Sequence, residues 1–434
     1  MTLSEILEKL LTLSAKDSSL EFYIETEKSF SLEFKDEIPF LEEEAEETYL
    51  AVRYLNEKGL CGITYTLFLT EDGINSAITL AKDLSTYGKA SLYPPLPETY
   101  IEISTPSFPP PKKEDFLELH EIALSEAKAH RGIKRVERET YNFSSTKLYL
   151  IREGKKFEAT LSEVSFYVSL VAKGKRKEAS SYAYSSAISL ERLKVRELVS
   201  RAAFKAYALS HSEKGSSQRV AILFPPECAI ELLSLLSFSF LGDEVVKGRS
   251  YLKDKLGKKV FSPRLTLIDD GINPELPESR AFDDEGMPQE KTVLISAGEI
   301  KSFLWNYYYG RQAGFSSTGN ARKKAPSSPP EVDHTNLYFL PSHLSKEEFL
   351  QREKRVFEVL EILGGHTANP ISGDFSFGVS GILYEEGEAI SYLSEMALSG
   401  NIFEIFKDVE VGGDLTFFGS LGSPSLLFQP MDLG

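Results

Sequence analysis

Apolar residues recur at helical spacing from the start of the chain: Leu3, Ile6, Leu7, Leu10 and Leu11 share one stripe and predict a helix over 3–11. The period then falls to two. Leu20, Phe22 and Ile24, followed by Phe30, Leu32 and Phe34, alternate with polar residues as strand residues do. A second alternating pair, Leu50, Val52, Tyr54 and Ile63, Tyr65, Leu67, flanks Asn56-Glu57-Lys58-Gly59 and predicts a hairpin, after which 74–87 returns to a helical pattern.

Proline then interrupts the pattern. Neither Tyr93-Pro94-Pro95-Leu96-Pro97 nor the run from Pro106 to Pro111 can continue a helix or a central strand, so a boundary belongs there. Beyond it the order repeats: a helix over 114–130, strands over 147–151 and 157–171, and a helix over 190–208. Helix, strands, helix thus occurs twice, which suggests a structural duplication although no sequence identity between the halves is evident. The polar run Ser210 to Ser217 marks a second boundary, and Val220-Ala221-Ile222-Leu223-Phe224 opens a strand-rich last unit. Without regular alternation of strand and helix, the expected class is α+β, with mixed helices and antiparallel-rich sheets. Amino-terminal α/β units at 1–111 and 112–215 would precede a strand-rich carboxy-terminal domain at 216–434.

With 41% hydrophobic and 26% charged residues over 434 positions, the chain has the profile of a folded protein rather than a disordered one. The net charge of -16 argues against nucleic acid as a partner. Its nearest basic groups, Lys173, Lys175, Arg176, Lys177 and the pair Lys323, Lys324, fall in turn-like polar sequence and are expected to be solvated loops. Cys61 and Cys228 show no paired spacing, which excludes a cysteine zinc site on count and points to two small buried residues in a reducing compartment. The first residues lack a basic stretch followed by an apolar core, and no apolar run approaches the roughly 20 residues of a membrane span. A cytoplasmic protein with no membrane partner is expected.

A helical zinc peptidase site needs two histidines on one face with a glutamate beside one of them. The six histidines offer no such pair. His120-Glu121 begins like one, but the next histidine is His130, on another face, so the segment is expected to be a surface-facing amphipathic helix. His211, His334 and His343 are expected to be exposed. His366 stands in a run of small residues from Gly364 to Gly378 in which His366, Asn369, Asp374 and Ser376 offer polar contacts, as in a binding cleft or in a turn closed by Asx hydrogen bonds. Asp269-Asp270 and Asp283-Asp284-Glu285 have a nominal capacity for acid-base work, weakened because neighbours on a strand face opposite ways. No phosphate-binding glycine loop and no serine nucleophile elbow is present.

Several segments carry a resemblance: Gly248-Arg249-Ser250, Lys255-Leu256-Gly257, Phe282 to Pro288, Ser317-Thr318-Gly319-Asn320-Ala321-Arg322, His366 to Gly381, Gly412-Gly413-Asp414-Leu415 and Ser423 to Leu427. In their order and spacing the last unit resembles the TldD/TldE (PmbA) family, in its TldE/PmbA branch, long labelled a modulator of DNA gyrase. The TldD branch resembles a gluzincin, with H-E-x-x-x-H on a helix and a downstream cysteine. Aligned on Gly242-Asp243, the two histidine positions fall here on Leu233 and Phe238 and the glutamate on Ser234. Residues 415–423 contain no Cys, His, Asp or Glu. The resemblance therefore implies a chain with no metal of its own, inactive alone. It would pair with a zinc-bearing, TldD-like catalytic subunit around a chamber where peptides are cut, with His366, Asn369, Asp374 and Ser376 lining the cleft. Two alternatives stay open: an intrinsic metallopeptidase with an unorthodox site such as His366 with Asp374, or a homodimeric peptide-binding scaffold.

Overall fold

The computed structural model describes residues 1–100, 103, 108–175 and 177–434; Pro106 of the second proline run and Arg176 of the basic stretch lie outside the described residues. Helix α1 (Leu3–Lys16) starts at a capping box in which Thr2 Oγ1 accepts from the Glu5 N–H and Glu5 Oε2 accepts from the Thr2 N–H. Its stripe Ile6 and Leu10 is buried. Strand β1 (Leu20–Lys35) absorbs both predicted alternating runs in one piece, and β2 (Ile38–Leu55), β3 (Leu60–Thr66) and α2 (Glu71–Ser85) follow. The β2–β3 turn is closed by Asn56, whose Oδ1 accepts the N–H groups of Lys58 and Leu60, with Gly59 at φ 71°. After β4 (Lys89–Ala90) come α3 (Lys113–Ala129), β5 (Ile133–Arg152), β6 (Lys155–Lys173), β7 (Glu178–Ala187) and α4 (Val195–Ser210).

All seven strands form one antiparallel sheet in the order β4-β3-β2-β1-β5-β6-β7. The two helix-strands-helix runs meet through their first strands, β1 and β5, in register from Glu21↔Arg152 to Lys35↔Arg138. Segments 1–111 and 112–215 therefore share a sheet, with α1 and α2 packed in the first half and α3 and α4 in the second.

His120 departs from expectation. The stripe Phe116, His120, Ala123, Ala127 is the buried face of α3, and His120 is only 6% exposed. Its Nδ1 lies 2.9 Å from Glu139 Oε2 and its ring stacks at 3.6 Å on Phe34, so polar pairing and an aromatic neighbour make the core position tolerable. Of the other histidines, His343 is exposed, whereas His211 and His334 are half-buried.

The carboxy-terminal region runs through β8 (Glu213–Lys214), β9 (Gln218–Phe224), α5 (Pro226–Ser237), α6 (Gly242–Val246), β10 (Leu267–Asp270), β11 (Lys291–Ser296) and β12 (Glu299–Ile300). It continues with α7 (Tyr307–Ala313), β13 (Ala321–Arg322), β14 (Glu331–Val332), β15 (Leu337–Phe339), α8 (Lys346–Arg352) and β16 (Arg355–Leu363). Last come β17 (Asp374–Glu385), β18 (Glu388–Asn401), α9 (Ile402–Ile405), β19 (Val409–Val411), β20 (Thr416–Phe418), β21 (Leu421–Ser423) and β22 (Leu426–Leu433). One sheet has the order β19-β22-β9-β16-β17-β18-β8 and curls until Leu398 of β18 bridges Leu433 of β22; a second has the order β12-β11-β10-β15-β21-β20. Between them lies the largest apolar core, to which α5 contributes Cys228, Ala229, Leu232, Leu233, Leu235 and Leu236. The class is α+β, with a strand-rich carboxy-terminal region.

Candidate functional site: an interdomain cleft and a buried polar joint

The acidic motif 282–287 does not form an open acid-base site. One face of β1, β2 and β5 presents Glu21, Tyr23, Arg53 and Arg152 towards the loops 282–287 and 321–323. Glu21 accepts from Arg53 Nη1 at 3.2 Å and from Arg152 Nη1 at 2.8 Å, and both guanidiniums also lie over the Tyr93 ring, 4.8 and 4.9 Å from its centre. Asp284 accepts from Arg280 Nη2 at 2.7 Å, the Lys323 N–H at 2.7 Å and the Tyr23 hydroxyl at 3.1 Å. Asp283 accepts the N–H groups of Glu285, Met287 and Ala321, and Glu285 that of Tyr307 at the start of α7. Each carboxylate is consumed by holding a loop.

Their environments split the three acids. Burial pushes Asp283 up to about 6 and Glu285 up to about 8. Burial also works against the charge of Asp284, but Arg280, Arg322 and the Lys323 N–H and ammonium together more than offset it, so its carboxyl is held below the ordinary range. Lys323 is not the solvated loop residue expected: it is half-buried, with Nζ 4.1 Å from the centre of the Tyr23 ring, and burial depresses its ammonium. Asp269 and Asp270 are structural too. Asp269 accepts from Asn320 Nδ2 and from the Thr335 N–H and hydroxyl, while Asp270 pairs with Lys291 at 3.0 Å.

One open concavity of about 510 Å³ borders the joint at Lys323, Glu25 and Tyr49; another lies where β7 and α4 face α5, the end of β16 and the β20–β21 hairpin. Strand β9 ends at Pro225-Pro226, and proline at the first helical position starts α5. Glu231 and Ser234 stay exposed on its outer side. A cavity of about 540 Å³ is walled by Tyr182, Lys205, Glu231, Glu361, Leu363 and Phe418 among others, a size typical of small-ligand sites. Past Phe418 and Arg201, which border both, a second cavity of about 290 Å³ continues beside Ser185, Glu275 and Leu415.

The zinc-site positions of the resemblance sit on this helix: Leu233 wholly buried in the core, Ser234 exposed, Phe238 half-buried at the helix end. The hairpin packed against α5 supplies only Leu415 to Ser423. Two hydrocarbon side chains and one hydroxyl do not fit a zinc ion, which takes imidazole, thiolate or carboxylate donors. Among the described residues no group of three His, Cys, Asp or Glu side chains is placed to hold a metal. Cys228 is buried on α5 and its thiol is pushed up by burial, whereas Cys61 is half-buried rather than enclosed.

The predicted contact residues lie beyond the cavity linings. His366 is exposed on a 3-10 turn after Gly364, whose φ of 79° favours glycine, and a Cβ on Gly365 would come within 3.0 Å of Glu231 Oε2. The turn therefore abuts the outer side of α5. Asn369 Oδ1 accepts the N–H groups of Ile371 and Ser372; Asp374 accepts from Asn401 Nδ2 and the Ser372 hydroxyl, which hold its carboxyl low. Ser376 meets Ser399 across β17 and β18 at 2.9 Å. Asn369 and Asp374 are thus brought together in an Asx-closed loop; His366 and Ser376 stand apart from it. Sequence reasoning missed Lys205, Tyr182 and Phe418. One signal was available: Lys205 occupies the stripe Leu198, Ala202, Lys205, Leu209, which helical spacing reserves for apolar residues.

The family model described as the PmbA/TldA metallopeptidase C-terminal domain matches residues 217–434, and that of the central domain matches 104–209. An uncharacterized protein of Methanocaldococcus jannaschii is 33% identical over 221 residues, 51% of this chain and 52% of its own length. The alignment thus spans about half of that relative. A metalloprotease of the same organism is 26% identical over 83% of this chain and 82% of its own length. Among solved structures, a Thermotoga maritima protein described as a candidate modulator of a DNA gyrase superposes with a TM-score of 0.90 at 24% identity, over 100% of both chains. TldE of Thermococcus kodakarensis gives 0.87 at 21% identity, over 99% of this chain and 100% of its own. At these identities the two structures establish the fold.

Proposed function

The chain belongs to the PmbA/TldD metallopeptidase family, and from that premise we propose that it is a non-metal-binding, TldE-like subunit of a peptide-degrading or peptide-processing complex. One observation carries the reading: Leu233 and Ser234 on α5 and Phe238 at its C-cap stand where a catalytic relative would need two ligands and a general base, and Leu233 is locked into the core. The bond-breaking zinc would belong to a TldD-like partner subunit, and this chain would shape the peptide space with its interdomain cleft. Its place would be the cytoplasm; among the described residues no helix is long and apolar enough to cross a membrane. Direct action on DNA is disfavoured by the net charge of -16.

The test compares zinc content and peptide cleavage for the purified chain, the TldD-like subunit and the co-expressed pair. The chain alone is expected to be metal-poor and inactive, with cleavage appearing in the pair. Zinc near one per chain with chelator-sensitive cleavage by this chain alone would replace the proposal with an intrinsic peptidase. A stable self-dimer that ignores the TldD-like subunit would replace it with a scaffold.

A further inference from the structure

Lys205 lies on the buried side of α4 and is 6% exposed, yet among the described residues no carboxylate oxygen is within ion-pair distance of its Nζ. Its one hydrogen bond runs to the Tyr182 carbonyl at 3.2 Å, and the ammonium sits 5.1 Å from the centre of the Tyr182 ring. An ammonium carries three donors, so two remain, on a charge whose burial is costly without a counter-ion. Lys205 also lines the 540 Å³ cavity. An anion entering there would meet a desolvated cation, where a charge-assisted hydrogen bond is strong.

The rest of the lining narrows the class of anion. Arg201, one turn earlier on α4, is 3.7 Å from Glu227 and so already partnered. Glu361 accepts the Ser181 hydroxyl at 2.6 Å, and Glu231 and Glu361 add negative charge to the same cavity. A dianion such as phosphate would be repelled by them. A ligand with a single negative charge and neighbouring N–H donors satisfies both signs, with Tyr184, Ile362, Leu363 and Phe418 covering an apolar side chain. We propose that this cavity binds a peptide carboxylate, from a chain end or an acidic side chain, against Lys205, with the adjoining amide N–H groups turned to Glu231 and Glu361. The proposal rests on the peptide reading above and assigns it a site on this chain.

The experiment measures fluorescence anisotropy of a labelled short apolar peptide binding to the full chain. Three forms are used: free carboxyl terminus, carboxyl-terminal amide, and the amide with one internal Glu. The free acid should bind roughly ten- to a hundredfold more tightly than the plain amide. Recovery of affinity by the Glu-bearing amide would assign the anion to a side chain, and its failure to recover, to the chain end. Lys205→Met should abolish the preference without lowering Tm, because it removes a buried unpaired charge, whereas Lys205→Arg should keep part of it. Leu363→Trp, at a rim position 64% exposed, should weaken acid and amide alike. Equal binding of acid and plain amide, no binding of any form, or a preference that survives Lys205→Met would overturn the carboxylate site. Cleavage by the co-expressed pair is scored separately, so loss of the site with cleavage intact spares the subunit reading, and the reverse result spares the site.

Discussion

Helix α5 and the buried joint around Asp283 to Glu285 lie in the same carboxy-terminal family domain but use their polar groups in opposite ways. The joint is dense in ionisable groups and has no open chemistry, because each carboxylate accepts from a guanidinium, a hydroxyl or a loop N–H. The α5 region lines a cleft, yet the positions that the resemblance aligns with the TldD zinc motif are hydrocarbon or hydroxyl. Polar motif residues therefore mark an interdomain fastening here, whereas the side chains of α5 divide between core packing and the cleft wall. The distinction rests on satisfaction: a carboxylate whose lone pairs are filled by the fold has none left for substrate.

The sharpest way to break the comparison is to open the joint. Asp284→Ala leaves Arg280, 2% exposed, without its carboxylate, and also unpairs the Tyr23 hydroxyl and the Lys323 N–H. Loss of one partner of a buried ion pair costs about 3–5 kcal/mol. Urea unfolding followed by Trp305 emission should show that loss; a change within about 0.5 kcal/mol, the range of surface substitutions, would mean the joint is a surface in disguise. Leu233→Ala probes the other region, where the residue serves only packing. A buried leucine truncated to alanine costs about 2–5 kcal/mol, with metal content unaffected. An unchanged melting temperature would show that α5 is not the core helix described.

Much of this was legible in the sequence, and the gaps have physical causes. Alternation predicted β1 and the Asn56–Gly59 hairpin, a continuous apolar run predicted β9, whose residues 220–224 are buried on both faces, and helical spacing predicted α1 to α4. The first half of β2 was missed: Ile38 to Glu47 is exposed throughout, so no burial contrast imprints a period of two on it. His120 was misplaced because its partner Glu139 lies on another element, and local periodicity cannot reveal a buried pair made across the fold. Residue types alone say that Leu233 and Phe238 offer a metal no donor atom and Ser234 only a hydroxyl. Lys205, by contrast, acquires meaning only when α4 is set against β7 and α5, since a buried charge is defined by the partners it lacks.

A pH experiment sharpens the contrast within the joint. Glu285 has a folded-state pKa raised by burial to about 8, so its favourable contribution is fully present below the ordinary glutamate range and is lost as pH rises towards 8. Glu285→Gln keeps an acceptor for the Tyr307 N–H and cannot ionise. Its melting temperature relative to the parent should therefore climb between pH 5 and pH 8; a constant difference would remove Glu285 from the set of acids held protonated by the joint.

The smallest effect belongs to Ser234, and it completes the contrast because it is adjacent to the residue expected to give one of the largest. Ser234 is exposed where Leu233 is enclosed, so the aligned glutamate position faces solvent while an aligned histidine position faces the core. Ser234→Ala removes only a solvated hydroxyl and should change stability by no more than about 0.5 kcal/mol. It should also leave cleavage by the co-expressed pair at the parental rate, because a hydroxyl at this position cannot replace a carboxylate as general base. A severalfold fall in that rate with stability intact would place Ser234 at the substrate, and α5 would then be a working wall of the peptide space rather than packing alone.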